Sequence, residues 1–270
     1  MADGIIALSY GDLVLASLLI LLNAGLSFIL RLRLEGQLLI AALRMVAQLF
    51  LVGLVLKALF AIVSPYLTGL VALAMVLFAG REILARQERR LAGWWTYGLG
   101  TTSMLMAAMI VTVLALTTQL QPDPWYHPRY AIPILGMILG NTMTGIALGL
   151  NTLATTIGRE RVAIEARLAL GQTWREAFGG VIREAMRSGL IPIVNAMAAT
   201  GLVSLPGMMT GQILAGAEPM HAIEYQILIM FLIAGGTGLG VLSAVLGGAY
   251  RLTDSRQRLR LDRLHRTEEG

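Results

Sequence analysis

Polar side chains stand at isolated positions within long apolar stretches of this sequence, and they are the residues best placed to do chemistry. Inside a membrane, side-chain oxygens and amides can hold a solute, and a broken helix exposes backbone carbonyls. The residues predicted to line a translocation path are Arg44, Gln48, Asn141, Asn151, Asn195, Ser204, Pro206, Gly207, Met208, Met209 and Gln212. Segment 204–212 is the strongest prediction for a gate or substrate contact, because Pro206 and Gly207 interrupt an apolar run.

Each type of residue in this set also has a structural interpretation. Asparagine and threonine in apolar helices often hydrogen-bond to a neighbouring helix. Arg44 can extend its guanidinium to the membrane surface. The 14 methionines suit a soft metal ion, but methionine is also an ordinary filler of packed helices. Both interpretations stay open from the residues alone.

A second group of candidate ligands lies between the last two apolar stretches. Glu218, His221 and Glu224 are carboxylates and an imidazole within one short connection, and such groups bind divalent cations. The alternative is that they are solvated loop residues.

The elements that position these residues are predicted to be membrane-spanning helices. The chain is 56% hydrophobic and 14% charged, more apolar than a soluble core of this size requires. A spanning helix needs about 20 mostly apolar residues. Seven stretches qualify, and they are Asp12–Leu30, Leu38–Phe60, Tyr66–Ile83, Trp95–Thr118, Ile132–Thr155, Leu190–Ala215 and Ile223–Tyr250. We expect an all-α, polytopic helical membrane protein with one domain over residues 1–270.

The 21 basic residues predict the orientation, because Lys and Arg are retained on the cytoplasmic side of a membrane. Most of them fall in alternate connections, in segment 156–189 and in the tail 251–270. The N-terminus is therefore predicted outside and the C-terminus in the cytoplasm, in a multi-pass protein of a bacterial inner membrane. The net charge of +5 is explained by this topology and by contact with anionic lipid, so no nucleic-acid partner is expected.

Segment 156–189 is predicted to be a cytoplasmic, helical coupling loop. Gly171 suits the left-handed residue that ends a helix, and Thr173 and Glu176 have the spacing of a capping box that starts the next one. Over Thr173–Met186, helical spacing places Trp174, Phe178 and Val181 or Ile182 on one face. An amphipathic helix of this kind rests on lipid or docks a protein partner.

The run Glu165-Ala166-Arg167-Leu168-Ala169-Leu170-Gly171, with Trp174, Phe178 and Val181 after it, resembles the "EAA" loop of ABC-transporter permeases. Arg167 stands where that pattern has its second alanine. The resemblance implies that a short coupling helix sits in a cleft of an ATPase subunit. The implied docking residues are Glu165, Ala166, Gly171, Thr173, Trp174, Glu176, Phe178 and Val181.

This chain has no phosphate-binding loop of the form G-x-x-x-x-G-K-[ST], since its single lysine, Lys57, lies within the second apolar stretch. Any ATP hydrolysis must therefore occur in a partner chain, which would hold the ATP-Mg. We predict that this chain is not an enzyme and binds no cofactor. The glycine-rich run 235–240 favours close helix packing over dinucleotide binding, and Gly136/Gly140, Gly145/Gly149 and Gly207/Gly211 repeat a spacing that suits helix contacts or a homodimer seam.

The amino-acid sequence of segments 190–216 and 225–231 resembles the corresponding sequences of the FetB-type permease family. That resemblance implies an ABC permease that exports iron or another metal cation, energised by a separate FetA-type ATPase. Plant relatives linked to nucleotide-sugar export give one alternative, an ABC permease for a nucleotide sugar or another small anion, with Arg44 as an anion contact. A second alternative is a gradient-driven carrier without an ATPase.

Overall fold

The computed structural model describes residues 9–87, 89–254 and 256–266. Within them the chain is almost entirely helical, which confirms the prediction of a polytopic all-α membrane protein. The helices are α1 (Tyr10–Ile29), α2 (Glu35–Ala61), α3 (Pro65–Ala85), α4 (Trp95–Leu114), α5 (Pro128–Arg159), α6 (Arg161–Ala169), α7 (Trp174–Ala177), α8 (Gly179–Ala199), α9 (Gly207–Leu214) and α10 (Pro219–Arg251). A π-helical segment, Ala115–Leu120, extends α4.

Local sequence explains where several of these helices begin. Pro65, Pro128 and Pro219 each occupy the first turn of their helix, where the missing N–H costs no hydrogen bond and the fixed φ is already helical. Helix α1 begins at a capping box formed by Ser9 and Asp12. The predicted starts of the corresponding spans therefore lie within a few residues of the observed ones.

Helix α5 is the centre of the bundle, and two glycines let α8 approach it closely. A Cβ placed on Gly145 would lie 2.8 Å from the carbonyl oxygen of Gly189, and one on Gly149 would lie 3.4 Å from that of Ala185. Because the residue numbers run in opposite directions along this contact, α8 is antiparallel to α5. The predicted use of Gly145 and Gly149 for close packing is confirmed.

Helix α10 lies parallel to α5 on another side. A Cβ on Gly236 would lie 2.8 Å from Ile138, and one on Gly248 would lie 2.8 Å from Leu153. The glycine-rich run at the middle of α10 therefore serves helix packing, as predicted, because any larger residue at these positions would push the helices apart.

Six helices, namely α1, α2, α3, α4 with its extension, α5 and α10, are long and apolar enough to cross a membrane. Helix α8 runs antiparallel to α5 from the Arg159 end of α5 past its middle, and its first half carries Arg183, Glu184 and Arg187. The predicted span Leu190–Ala215 is thus wrong in its bounds. The helix begins at Gly179 and ends at Ala199, where Gly201 turns the chain with a φ of +92°.

The first two helices form a hairpin that packs mainly on itself. Of the described residues, α1 buries only Ala24 and Ser27, and α2 buries only Leu59. Their remaining apolar side chains are exposed, which is the arrangement expected of helices whose solvent is lipid.

The C-terminal segment folds back on the bundle at the end where α4 begins. Strand β2 (Leu264–Arg266) pairs antiparallel with strand β1 (Arg89–Leu91). The backbone N–H of Ala92 also donates to the carbonyl of Arg263 at 2.7 Å. This pairing fixes the tail across the predicted cytoplasmic end.

We expect Gly145→Ala to destabilise the bundle and Gly140→Ala, in the same helix, to leave it unchanged or slightly more stable. Overpacking costs about 1–3 kcal/mol, more than the roughly 1 kcal/mol that alanine gains over glycine in a helix, whereas a Cβ on Gly140 meets nothing within 4 Å. Thermal denaturation of the purified protein in detergent measures both variants. Equal changes in Tm would contradict the assigned contact.

Candidate functional site

An ion pair joins α2 to α3 within the predicted membrane region. Arg44 on α2 donates through Nη2 to the Glu82 carboxylate on α3. The side chains are 55% and 30% exposed, so the pair faces outward from the bundle rather than into its core. Because unpaired charges are costly at membrane depth, each residue stabilises the other there.

Further polar side chains continue from this pair onto α5. Arg86 Nη1 lies 3.5 Å from Thr144 Oγ1, and Asn141 stands one turn earlier on the same exposed face, donating to the Met137 carbonyl at 2.9 Å. We call Arg44, Glu82, Arg86, Thr144 and Asn141 the inner polar stripe. It runs from the predicted cytoplasmic end of α3 to the middle of α5.

Three further path candidates lie on α2, α5 and α8. Gln48 is exposed one turn beyond Arg44, and Asn151 is half-buried on α5 toward Arg159. Asn195 is exposed on α8. The structure therefore places Arg44 and Gln48 on α2 and Asn141 on α5, while Asn195 lies on α8 at about the depth of Asn141, because α8 runs antiparallel to α5 with Gly189 against Gly145.

Segment 204–212 does not interrupt a spanning helix as predicted. Residues 200–206 link the end of α8 to α9, and Pro206 is the residue before the first turn of α9. The break is earlier because α8 already ends at Ala199. Ser204 and Gly207 are exposed, whereas Met208 and Gln212 are half-buried.

This connection encloses a cavity of about 500 Å³ against the first turns of α10, near the predicted outer end. Three methionines contribute to its lining, namely Met197, Met209 and Met230. Gln226 also lines it, is 5% exposed, and has a side-chain oxygen without a partner among the described residues. The cavity thus combines thioethers with one amide oxygen and no charged lining residue.

The coupling segment begins as predicted. Only Glu160 separates α5 from α6. Gly171, with a φ of +87°, lies just after the end of α6. The Glu176 carboxylate accepts hydrogen bonds from Thr173 N at 2.8 Å and Thr173 Oγ1 at 2.9 Å. These bonds lower the pKa of Glu176, so the helix start is held by an ionised carboxylate.

The aromatic face of the coupling segment points inward, which differs from the docking role implied for it. Phe178 and Val181 are both 0% exposed and belong to the core formed with α5 and α10. Trp174 is half-buried, and its ring lies edge-on to Tyr250 at 6.0 Å. The backbone N–H of Trp174 donates to Gln257 Oε1 at 2.8 Å. These side chains anchor the segment to its own chain.

A different face of the same segment is exposed. Leu170 is 84% exposed, and Val162 and Ala166 are exposed one turn apart on α6. Glu165 is ion-paired with Arg161 at 2.9 Å on this helix. We call Val162, Ala166 and Leu170 the α6 face.

The predicted metal ligands do not converge as a set of three. His221 Nδ1 lies 3.5 Å from Glu218 Oε2. Among the described residues, however, no three His, Cys, Asp or Glu side chains group in a way that could hold a metal ion. Glu224 therefore stands apart from the other two, and a metal site there stays a prediction.

Glu82 was missed by the sequence analysis. It lies in the last turns of a predicted span and looks like a residue leaving the membrane, whereas its partner Arg44 was identified alone. An acidic residue inside one span and a basic residue inside the neighbouring span is the signal that would have suggested the pair.

We expect neutralising one member of the Arg44–Glu82 pair to destabilise the protein more than neutralising both. Arg44→Gln leaves Glu82 unpaired and Glu82→Gln leaves Arg44 unpaired, whereas the double variant leaves neither charge. A double-mutant cycle by thermal denaturation should give a coupling of about 0.5–3 kcal/mol. Arg31→Gln in the exposed α1–α2 connection is the control. Strictly additive single effects would contradict the pairing.

Comparison with known proteins identifies the family. A model described as "Uncharacterised protein family (UPF0014)" matches residues 10–253. The chain is 41% identical to UPF0014 membrane protein slr1647 of Synechocystis sp., over 66% of this chain and 67% of that protein. It is 37% identical to the Probable iron export permease protein FetB of Escherichia coli, over 57% of this chain and 58% of FetB.

A plant relative is matched over most of its length. The chain is 33% identical to UPF0014 membrane protein STAR2 of Oryza sativa subsp. japonica, over 90% of this chain and 85% of STAR2. No solved structure matches the chain. Since both the family model and this relative cover nearly all of the membrane-spanning region, the chain belongs to the UPF0014 family of membrane proteins.

Proposed function

We propose that this chain is the permease subunit of an ATP-binding-cassette transporter in a bacterial inner membrane, and that it exports iron or a related metal cation. The observation that carries the proposal is the α6 face, an exposed apolar surface outside the spanning helices. The similarity to a protein named as an iron export permease supports the choice of substrate. The chain itself performs no hydrolysis in this proposal, and ATP-Mg binds to the partner ATPase.

The connections of the α6 face suit it to transmit force. Helix α6 follows α5 after Glu160 alone, and Ile164 on its inner side is fully buried. Phe178 and Val181 bind the other end of the segment to the core, and Arg159 on α5 lies 3.4 Å from Glu184 on α8. An ATPase that pushed on α6 would therefore move α5 and α8 together.

The inner polar stripe supports a path formed by two copies of the chain. In a single copy these groups would contact lipid, where polar side chains are unfavourable. A second copy placed over α2, α3 and α5 would convert this face into an enclosed, hydrated groove. The Asn141 side-chain oxygen then faces the groove as an oxygen ligand for a cation, whereas Glu82 is already paired with Arg44.

An anionic substrate is less well supported by the same residues. Arg44, the anion contact of the nucleotide-sugar alternative, is neutralised by Glu82. The cavity lined by Met197, Met209, Met230 and Gln226 offers thioethers and an amide but no basic residue that could bind an anion. The preference for a metal cation therefore rests on the thioethers and the amide of that cavity, because the inner polar stripe holds two arginines, Arg44 and Arg86, and one carboxylate, Glu82.

We expect Leu170→Asp to abolish docking of the ATPase without affecting the fold. A charge in the middle of an apolar contact should weaken binding by at least about tenfold, and Leu170 has few neighbours to lose because it is 84% exposed. The measurement is co-purification of a co-expressed FetA-type ATPase from the same organism. Leu202→Asp is the matched control, since Leu202 is 95% exposed at the opposite end.

If Leu170→Asp retained the ATPase as well as the control does, the α6 face would not be the docking surface. If both variants lost it equally, the loss would reflect misfolding rather than docking, and the assignment would fail as well.

We expect ATP hydrolysis by the reconstituted complex to rise with ferrous iron and not with a UDP-sugar. A transported solute accelerates the ATPase cycle because it binds one conformation of the permease better than the other. Phosphate release from proteoliposomes, with each solute added in turn, measures the difference. Stimulation by the UDP-sugar alone would contradict the metal assignment and favour the anion alternative.

A further inference from the structure

A second cavity lies at the opposite end of the bundle from the methionine-lined one. It has a volume of about 920 Å³ and lies between the start of α4, α7, the end of α10 and the tail. We call it the tail cavity. Its lining combines basic, aromatic and apolar side chains from these elements.

The lining of the tail cavity is strongly basic. It contains five arginines and one carboxylate, Asp254. Two of the arginines are neutralised, because Arg258 lies 2.9 Å from Asp254 and Arg260 lies 2.8 Å from Asp262. The hydrogen bonds from Arg260 hold the pKa of Asp262 at about 2, so that pair stays ionised at neutral pH.

The side chains of the other three arginines form no salt bridge within the described part of the chain, although the charge of Arg263 also helps to lower the pKa of Asp262. Arg251 is placed over the ring of Trp95, with 4.3 Å between the guanidinium carbon and the ring centroid. Arg263 donates through Nη1 to the carbonyls of Arg251 at 2.7 Å and Thr253 at 3.2 Å. With Arg256 they leave the cavity with an excess of positive charge that an anion would neutralise.

The fold positions these arginines. The β1–β2 pairing holds the tail beside the start of α4, and Arg260 N donates to the Leu252 carbonyl at 2.8 Å. Topology alone requires basic residues at this end of the protein, but it does not require that they surround one cavity.

The other lining residues indicate the depth of the tail cavity. Trp95, Trp174 and Tyr250 are aromatic residues of the type enriched where hydrocarbon meets the headgroups. Leu99 and Gly247 supply an apolar side one turn further into the membrane. A cavity with a basic rim and an apolar floor at this level matches a phospholipid better than a freely soluble solute.

We propose that the tail cavity binds the phosphate group of an anionic phospholipid from the leaflet at the predicted cytoplasmic end. Planar guanidinium groups bind phosphate oxygens in a bidentate manner, and Arg251 and Arg256 both line the cavity without a salt bridge to a described residue. The bound lipid would lie beside Trp174, at the start of α7 within the coupling segment. The proposal depends on the membrane location of the chain and not on its transport substrate.

The test is native mass spectrometry of the purified full-length chain in detergent, with phosphatidylglycerol or phosphatidylcholine added. The wild-type protein should retain phosphatidylglycerol in preference to phosphatidylcholine. Arg251→Gln combined with Arg256→Gln should weaken phosphatidylglycerol binding by roughly 25-fold, since each basic residue at an anionic surface contributes about fivefold. Arg31→Gln with Arg33→Gln, at the same predicted end but outside the cavity, should change it less than twofold.

Two further variants separate charge from folding. Arg251→Lys with Arg256→Lys keeps both charges and should retain most of the preference for phosphatidylglycerol. If the double glutamine variant does not fold, Arg256→Gln alone should weaken binding about fivefold.

Three results would overturn the proposal. The first is a double glutamine variant that binds as the wild type does, and the second is an Arg31/Arg33 control that loses as much affinity as that variant. The third comes from a separate arm: free glycerol 3-phosphate that binds alone and displaces the lipid at equal concentration would assign the cavity to a soluble phosphate compound instead.

Discussion

The close approach of α8 to α5 at Gly189 and Gly145 determines how the rest of the chain is arranged. Two backbones meet there with no space for a Cβ on either residue. Because α5 also holds α3, α4 and α10, this contact fixes the depth and direction of α8 within the bundle. The coupling segment, which joins α5 to α8 at the predicted cytoplasmic end, is thereby held at both ends.

This attachment gives the coupling segment two distinct faces. Ile164, Phe178 and Val181 are fully buried and make the segment part of the folded core. Leu170 and Val162 project from the other face and have few intramolecular contacts. A partner that engages the second face would move the spanning helices directly, since no flexible linker lies between α6 and α5.

Local signals in the sequence predicted local structure well. Gly171 and the Thr173–Glu176 pair identified the turn and the helix start correctly, because both depend on residues only a few positions apart. The same reasoning gave Phe178 an outward role, since helical spacing shows that a face is apolar but not what covers it. The Arg44–Glu82 pair depends on how α2 and α3 are placed, which no local pattern contains.

The bounds of the sixth span were mispredicted for a similar reason, since the first half of α8 is charged and Glu184 there contacts Arg159 of α5. The account as a whole is tested most directly by iron movement in proteoliposomes that contain the chain with its ATPase partner. We predict movement that requires both ATP and the partner, and that Leu170→Asp abolishes. Iron movement of equal rate by the chain alone, without ATP or the partner, would contradict the account and indicate a gradient-driven carrier.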